Sequence, residues 1–144
     1  MPGFKQSIGQ SLATTTSAGL MSAADKAELD LITSGTWTPT CTITTNLASV
    51  TPSVGQYLRV GSVVHCSVRV TIDPTSTGVT RFRATLPIAS ALANVGELTG
   101  GAFNINAGPN QIFADTANDE ADIQSVASIT SAYDLACVFS YRVI

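Results

Sequence analysis

Strict period-two alternation over two long stretches constrains this chain more than any other feature. Val64, Cys66, Val68, Val70 and Ile72 occupy one phase, while Val63, His65, Ser67, Arg69 and Thr71 occupy the other. Near the end, Leu135, Cys137, Phe139, Tyr141 and Val143 alternate with Ala136, Val138, Ser140, Arg142 and Ile144. Successive side chains of a strand point to opposite faces, so such stretches predict strands with one face on a core. Arg81, Arg83 and Thr85 alternate with Phe82, Ala84 and Leu86 in the same way. Further strands are predicted over Trp37–Thr44, Gln56–Val60, Leu98–Ile105, Gln111–Ala114 and Ala121–Ala127. Asp73-Pro74, Gly78, Gly100-Gly101, Gly108-Pro109-Asn110 and Asn118-Asp119 supply turn chemistry between them. About eight short strands at this spacing predict a mainly β fold, an antiparallel β-sandwich of jelly-roll type.

Composition narrows the function classes. Ten acidic against seven basic residues give a net charge of -3, so no basic surplus exists to neutralise phosphates, and nucleic acid is not an expected partner. Only 12% of the residues are charged, whereas 19 Thr and 15 Ser provide neutral polar groups. A 44% hydrophobic content argues against disorder, which combines low hydrophobicity with high charge. No apolar run approaches the roughly 18 residues of a membrane span, so membrane insertion is not expected. Met1-Pro2-Gly3-Phe4-Lys5 has no apolar core of a secretory signal.

One segment reads as a helix. Over residues 20–33, Ser22 is placed to cap, with Asp25 three positions on as in a capping box, and Gly35 stands beyond the end. Leu20, Ala24, Ala27 and Leu31 follow the 4-3-4 spacing of a coiled-coil seam, with Leu29 and Ile32 off it. A helix this short needs partners. Two other copies around an axis would supply them, and packing on its own β domain is the alternative. Before it, Phe4, Ile8 and Leu12 stand four apart as one helical stripe or three separate anchors. The expected organisation is an N-terminal segment 1–17, a helical stalk 18–35 and a β knob 36–144.

Candidate chemistry is sparse. His65, the only histidine, falls on the outward phase beside Ser67 and Arg69, away from any nucleophile elbow or papain-like motif. Cys41, Cys66 and Cys137 are too few and too widely spaced for a disulfide framework or a zinc site, and read as buried thiols of a reducing compartment. Asp115, Asp119, Glu120 and Asp122 form the densest acidic cluster. A solvated loop is its first reading, ahead of calcium ligation without EF-hand spacing and ahead of paired carboxylates for glycoside hydrolysis. Gly100-Gly101 reads as a bulge or tight strand bend. Arg69, Arg81 and Arg83 read as salt-bridge partners. Trp37, Tyr57 and Tyr133 are candidate sugar platforms, with core or subunit packing the leading role; Trp37 is assigned to the subunit interface. No catalytic residue, metal ligand or cofactor site is assigned, and the chain is not expected to be an enzyme.

Residues 15–30, Thr15-Thr16-Ser17-Ala18-Gly19-Leu20-Met21-Ser22-Ala23-Ala24-Asp25-Lys26-Ala27-Glu28-Leu29-Asp30, resemble the "TTxxGLMSAADKxKLD" stretch of bacteriophage tail-fibre and other virion fibre proteins. Gly35-Thr36-Trp37-Thr38-Pro39-Thr40, Gly55–Val64, Leu86-Pro87-Ile88-Ala89-Ser90 and the terminal Phe139–Ile144 resemble the β domain that often follows it. The resemblance implies a homotrimeric virion protein without a cofactor, made in the host cytoplasm. Phe4, Ile8 and Leu12 would anchor it to a phage capsid or tail protein. Leu20, Ala24, Ala27, Leu31 and Trp37 would form the trimer interface, and the knob would be free to meet a host surface glycan. Only about 17 residues precede the helical stalk, at most about 60 Å of extended chain, so a short head fibre or decoration protein and a small tail spike both fit.

Overall fold

The computed structural model describes residues 22–105, 107–108 and 110–144. The chain divides between Ile32 and Thr33. Among the described residues on the N-terminal side of that division lies one helix, α1 (Ala23–Leu29). Its cap is the expected one: the Asp25 amide donates to Ser22 Oγ at 3.0 Å, and Lys26 forms an i,i+4 ion pair with Asp30.

The stalk expected over 18–35 is corrected here. Helix α1 has only seven residues and ends at Leu29, and Ile32 already opens strand β1 (Ile32–Trp37). Leu31 therefore lies in the turn between the two, and the seam Leu20, Ala24, Ala27, Leu31 is not one helical stripe. The β-branched pair Ile32-Thr33, followed by Ser34-Gly35-Thr36, favours extended backbone over helix. Gly35 serves strand packing rather than termination: a Cβ there would sit 2.8 Å from the Tyr57 hydroxyl on the next strand.

From Thr33 onward the chain is antiparallel β. Nine further strands follow: β2 (Cys41–Thr45), β3 (Leu47–Pro52), β4 (Gly55–Val60), β5 (Val63–Pro74), β6 (Gly78–Thr85), β7 (Leu98–Phe103), β8 (Gln111–Asp115), β9 (Glu120–Ala127) and β10 (Tyr133–Arg142). Hydrogen bonding joins them in the order β1-β4-β5-β10-β7-β8-β9-β6-β2, with β3 also on β5. The expected pair of stacked sheets is thus one ten-stranded sheet, curled round a single core.

Three local features produce the curl. The twelve-residue β5 carries β10 along one edge, from Val63↔Arg142 to Ile72↔Tyr133. Its other edge is shared, with β4 on its first half and β3 on its second. Pro52 cannot donate to a ladder, and the break between those two strands follows it. The third feature is Asn46, between β2 and β3, whose φ of 55° turns the chain sharply from the β6 side of the sheet to the β5 side. Its side-chain Oδ1 accepts from Thr75 Oγ1 at 2.7 Å and from Ser76 N at 2.9 Å, and its Nδ2 donates to Ser76 O at 2.9 Å, so it also fixes the β5–β6 turn.

The predicted strand over Trp37–Thr44 is split by Thr38-Pro39-Thr40 into β1 and β2. The core comes from the predicted phases. Val64, Cys66, Val68, Val70 and Ile72 face Leu135, Cys137, Phe139 and Tyr141, with Phe82, Leu98 and Ile123 from the other strands. One polar pair is buried among them, Thr80 Oγ1 and Ser125 Oγ at 2.6 Å. Gly100 is neither bulge nor bend. It pairs in register with Phe139, and a Cβ there would lie 2.6 Å from Phe139 Cα, so glycine permits β7 to approach β10.

Candidate functional site

The acidic cluster lies around the β8–β9 turn, and each of its carboxylates meets protein groups. Asp122 is buried and accepts from Arg81 Nε at 2.7 Å and Nη2 at 2.5 Å; that guanidinium also lies 5.4 Å from the centre of the Phe113 ring. Asp115 pairs with Arg83 at 3.1 Å and accepts from Asn118 Nδ2 at 2.8 Å and Ala117 N at 3.0 Å. Burial acts to raise its pKa, yet the bonds from Asn118, Arg83 and Ala117 together hold it below the ordinary carboxylate range. Glu120 stands 3.7 Å from Arg83. Asp119, at φ 57°, accepts from Ser90 N at 2.9 Å and Leu92 N at 3.1 Å and so ties the 86–92 connection to the turn. The cluster is a set of structural ion pairs and loop anchors. Among the described residues no group of three His, Cys, Asp or Glu is placed to hold a metal ion. Arg69 takes the role read for it as well, 3.4 Å from Asp134.

His65 lies on the outer sheet face, where its Nδ1 is 2.8 Å from Ser140 Oγ on the neighbouring β10. Among the described residues no carboxylate hydrogen-bonds the imidazole, so the pair lacks the orienting acid of a triad.

The three cysteines are free thiols. Burial pushes Cys66 and Cys137 up to about 12, and half-buried Cys41 up to about 11, so all three stay protonated near neutrality.

The aromatic residues singled out as sugar platforms are packing residues. The Trp37 indole N–H donates to Thr85 O at 3.2 Å, and its ring meets Phe139 edge-on at 6.4 Å. Tyr57 packs over Gly35, and Tyr133 is buried. Phe4, Ile8, Leu12 and Leu20 lie outside the described residues. Ala24, Ala27 and Leu31 are exposed.

Two surface features were not legible as sites in the sequence. The first is the outward face of β4, β5 and β10. Leu58 stands opposite His65, Val60 opposite Val63, and Val138 opposite Ser67, and these four aliphatic side chains are each 38–49% exposed. Between them lie Gln56, Ser67, His65 and Ser140, and Arg142 stands opposite Val63 at the edge of the patch, so this part of the face carries one cation and no carboxylate. The second lies beyond it on β7. There Phe103 is 65% exposed and its ring lies over Gly101, beside an open groove of about 570 Å³. Alternation marks the outward phase of a strand but not which outward residues cluster, because clustering depends on strand order. The chain matches no family model, no curated protein and no solved structure.

Proposed function

We propose that this chain is a bacteriophage virion structural protein, a short fibre, spike or decoration protein whose β domain self-associates as a trimer. The observation that carries the self-associating part is the exposed aliphatic face of Leu58, Val60, Val63 and Val138 on adjacent strands, bordered by Arg142. Contiguous exposed apolar surface on a folded domain marks a contact site. Three strands about 4.8 Å apart, over about five residues rising about 3.4 Å each, give a face on the order of 250 Å², the centre of a contact rather than the whole of one. A stable interface uses roughly 800 Å² per partner. The virion part of the reading is supported by the resemblance of residues 15–30 to phage fibre proteins.

In this reading Phe4, Ile8 and Leu12 anchor the chain to a capsid or tail protein, and contacts around Ala24, Ala27, Leu31 and Trp37 add to those of the sheet face. Association needs no cofactor, and three copies multiply any weak host-surface contact by avidity.

Native mass spectrometry of the full chain tests the assembly. A trimer is expected, and Val138→Asp should shift it to monomer by placing a charge in the apolar face. A wild-type monomer at all concentrations refutes self-association. Deleting residues 2–12 should abolish incorporation into particles while leaving the β domain folded; retained incorporation removes the anchor.

A further inference from the structure

We infer that the groove beside Phe103 is a binding site for a neutral saccharide. It deepens the host-contact part of the proposed function but does not depend on the oligomeric state, since one chain supplies every residue named.

The groove is built by the end of β7 and the connection to β8. Phe103 is the residue where β7 ends, and its ring lies beside Gly101, two positions back on the strand. A Cβ on Gly101 would sit 3.1 Å from Phe103 Cζ, so the glycine is what leaves room for the ring to lie there. The ring rests over the Gly101 backbone and is open to solvent, at 65% exposure. A large aromatic in that state is a platform on which the apolar C–H face of a pyranose ring stacks.

The polar groups around the ring are amides. The Asn104 side chain donates to Asp134 O, which fixes its orientation at the groove wall. Asn110 lines the same groove, and its buried Oδ1 has no hydrogen-bond partner among the described residues. An unpaired acceptor of this kind is costly, and a ligand hydroxyl would satisfy it after rotation about the soft terminal torsion of the amide. Asn110 also lines a second cleft of about 170 Å³, shared with Gln111 and Gln124, which face each other across β8 and β9.

Amides both donate and accept, as sugar hydroxyls do. No charged side chain lines either cleft among the described residues. An anionic or cationic ligand would find no counter-charge there, which selects a neutral one.

Binding of the full chain to immobilised neutral oligosaccharides of glucose, galactose and N-acetylhexosamines, with sialylated and phosphorylated ones as contrast, tests this. The wild-type chain is expected to be retained on at least one neutral oligosaccharide. Phe103→Ala should weaken that retention about tenfold or more, and Gln124→Leu should weaken it too, both with unchanged circular dichroism. Absence of retention on every neutral oligosaccharide overturns the proposal. So does preference for the acidic set, or equal retention of the Phe103→Ala chain. Mass spectrometry on the same samples separates the two readings. A monomer that binds neutral glycans refutes self-association and leaves the groove standing. A Phe103→Ala chain that loses assembly, with no glycan retained by the wild type, makes the groove a contact between copies and refutes the saccharide.

Discussion

The Arg81 guanidinium holds the Asp122 carboxylate through Nε and Nη2, at 2.7 and 2.5 Å, between neighbouring strands β6 and β9. The two side chains are unequally exposed, 41% for Arg81 and 5% for Asp122. The hydrogen bond to Asp122 is the main reason the Arg81 pKa is raised. Removing either partner should therefore have different costs. Arg81→Ala leaves a buried carboxylate without its cation and should cost about 2–4 kcal/mol. Asp122→Asn leaves an arginine that water can reach and should cost about 1–2 kcal/mol. Urea denaturation of both variants decides; the reverse order would mean that burial of Asp122 is not what matters.

Acid should weaken the domain through Asp115. Its pKa is depressed in the folded state, so its contribution is fully present above the ordinary value of 3.8. That contribution is lost as pH falls through the lower folded value. Melting temperature should fall below about pH 4, and Asp115→Asn should flatten that part of the curve. An unchanged acid limb in the variant would assign the loss to other carboxylates.

Alkali should act through the thiols with the opposite sense. The folded pKa values of Cys66 and Cys137 are pushed up to about 12, from 9.0. Stability is full below 9.0 and declines as pH rises through the folded values, because the unfolded chain ionises first. A thiol reagent at pH 8 should leave Cys66 and Cys137 unmodified in the native protein and label all three cysteines in urea. Rapid native labelling of Cys137 would contradict its burial.

Asn46 should be the most sensitive polar residue outside the core. Asn46→Ala loses the bonds to Thr75 and Ser76 and places a Cβ residue poorly suited to φ 55°, for about 2–4 kcal/mol in all. Asn46→Gly restores backbone freedom and should recover about 1 kcal/mol of that. Equal losses for both would show that the side-chain bonds alone matter.

Gly100 and Gly101 should respond differently although they are adjacent. Gly100→Ala drives a Cβ into the Phe139 backbone and should prevent folding or cost more than about 3 kcal/mol. At Gly101 the nearest atom is the end of the Phe103 ring, which can swing away, so Gly101→Ala should cost less than about 1 kcal/mol. Expression and thermal melts of the two variants distinguish them.

Much of the core was legible from alternation alone. The phases of Val63–Ile72, Phe82–Ala84 and Leu135–Tyr141 are those the folded chain buries, because a strand with one face on a core has no other way to hide its apolar residues. The Ser22 cap and the pairing of Arg69, Arg81 and Arg83 with acids were legible for similar local reasons. The length of the helix was not. Its apolar spacing continued to Leu31, but local spacing is outweighed once Ile32–Trp37 has a ladder partner in β4.

The sequence by itself determined which residues turn inward and that the chain is mainly β, since both depend on neighbours one or two positions apart. Tertiary structure alone decided that ten strands form one curled sheet, that Asn46 joins its two sides, and that Leu58, Val138 and Phe103 emerge on the same face. The physical reason is that pairing partners are set by contacts far apart in the chain. Local pattern says which way a side chain points, and only strand order says what it points beside.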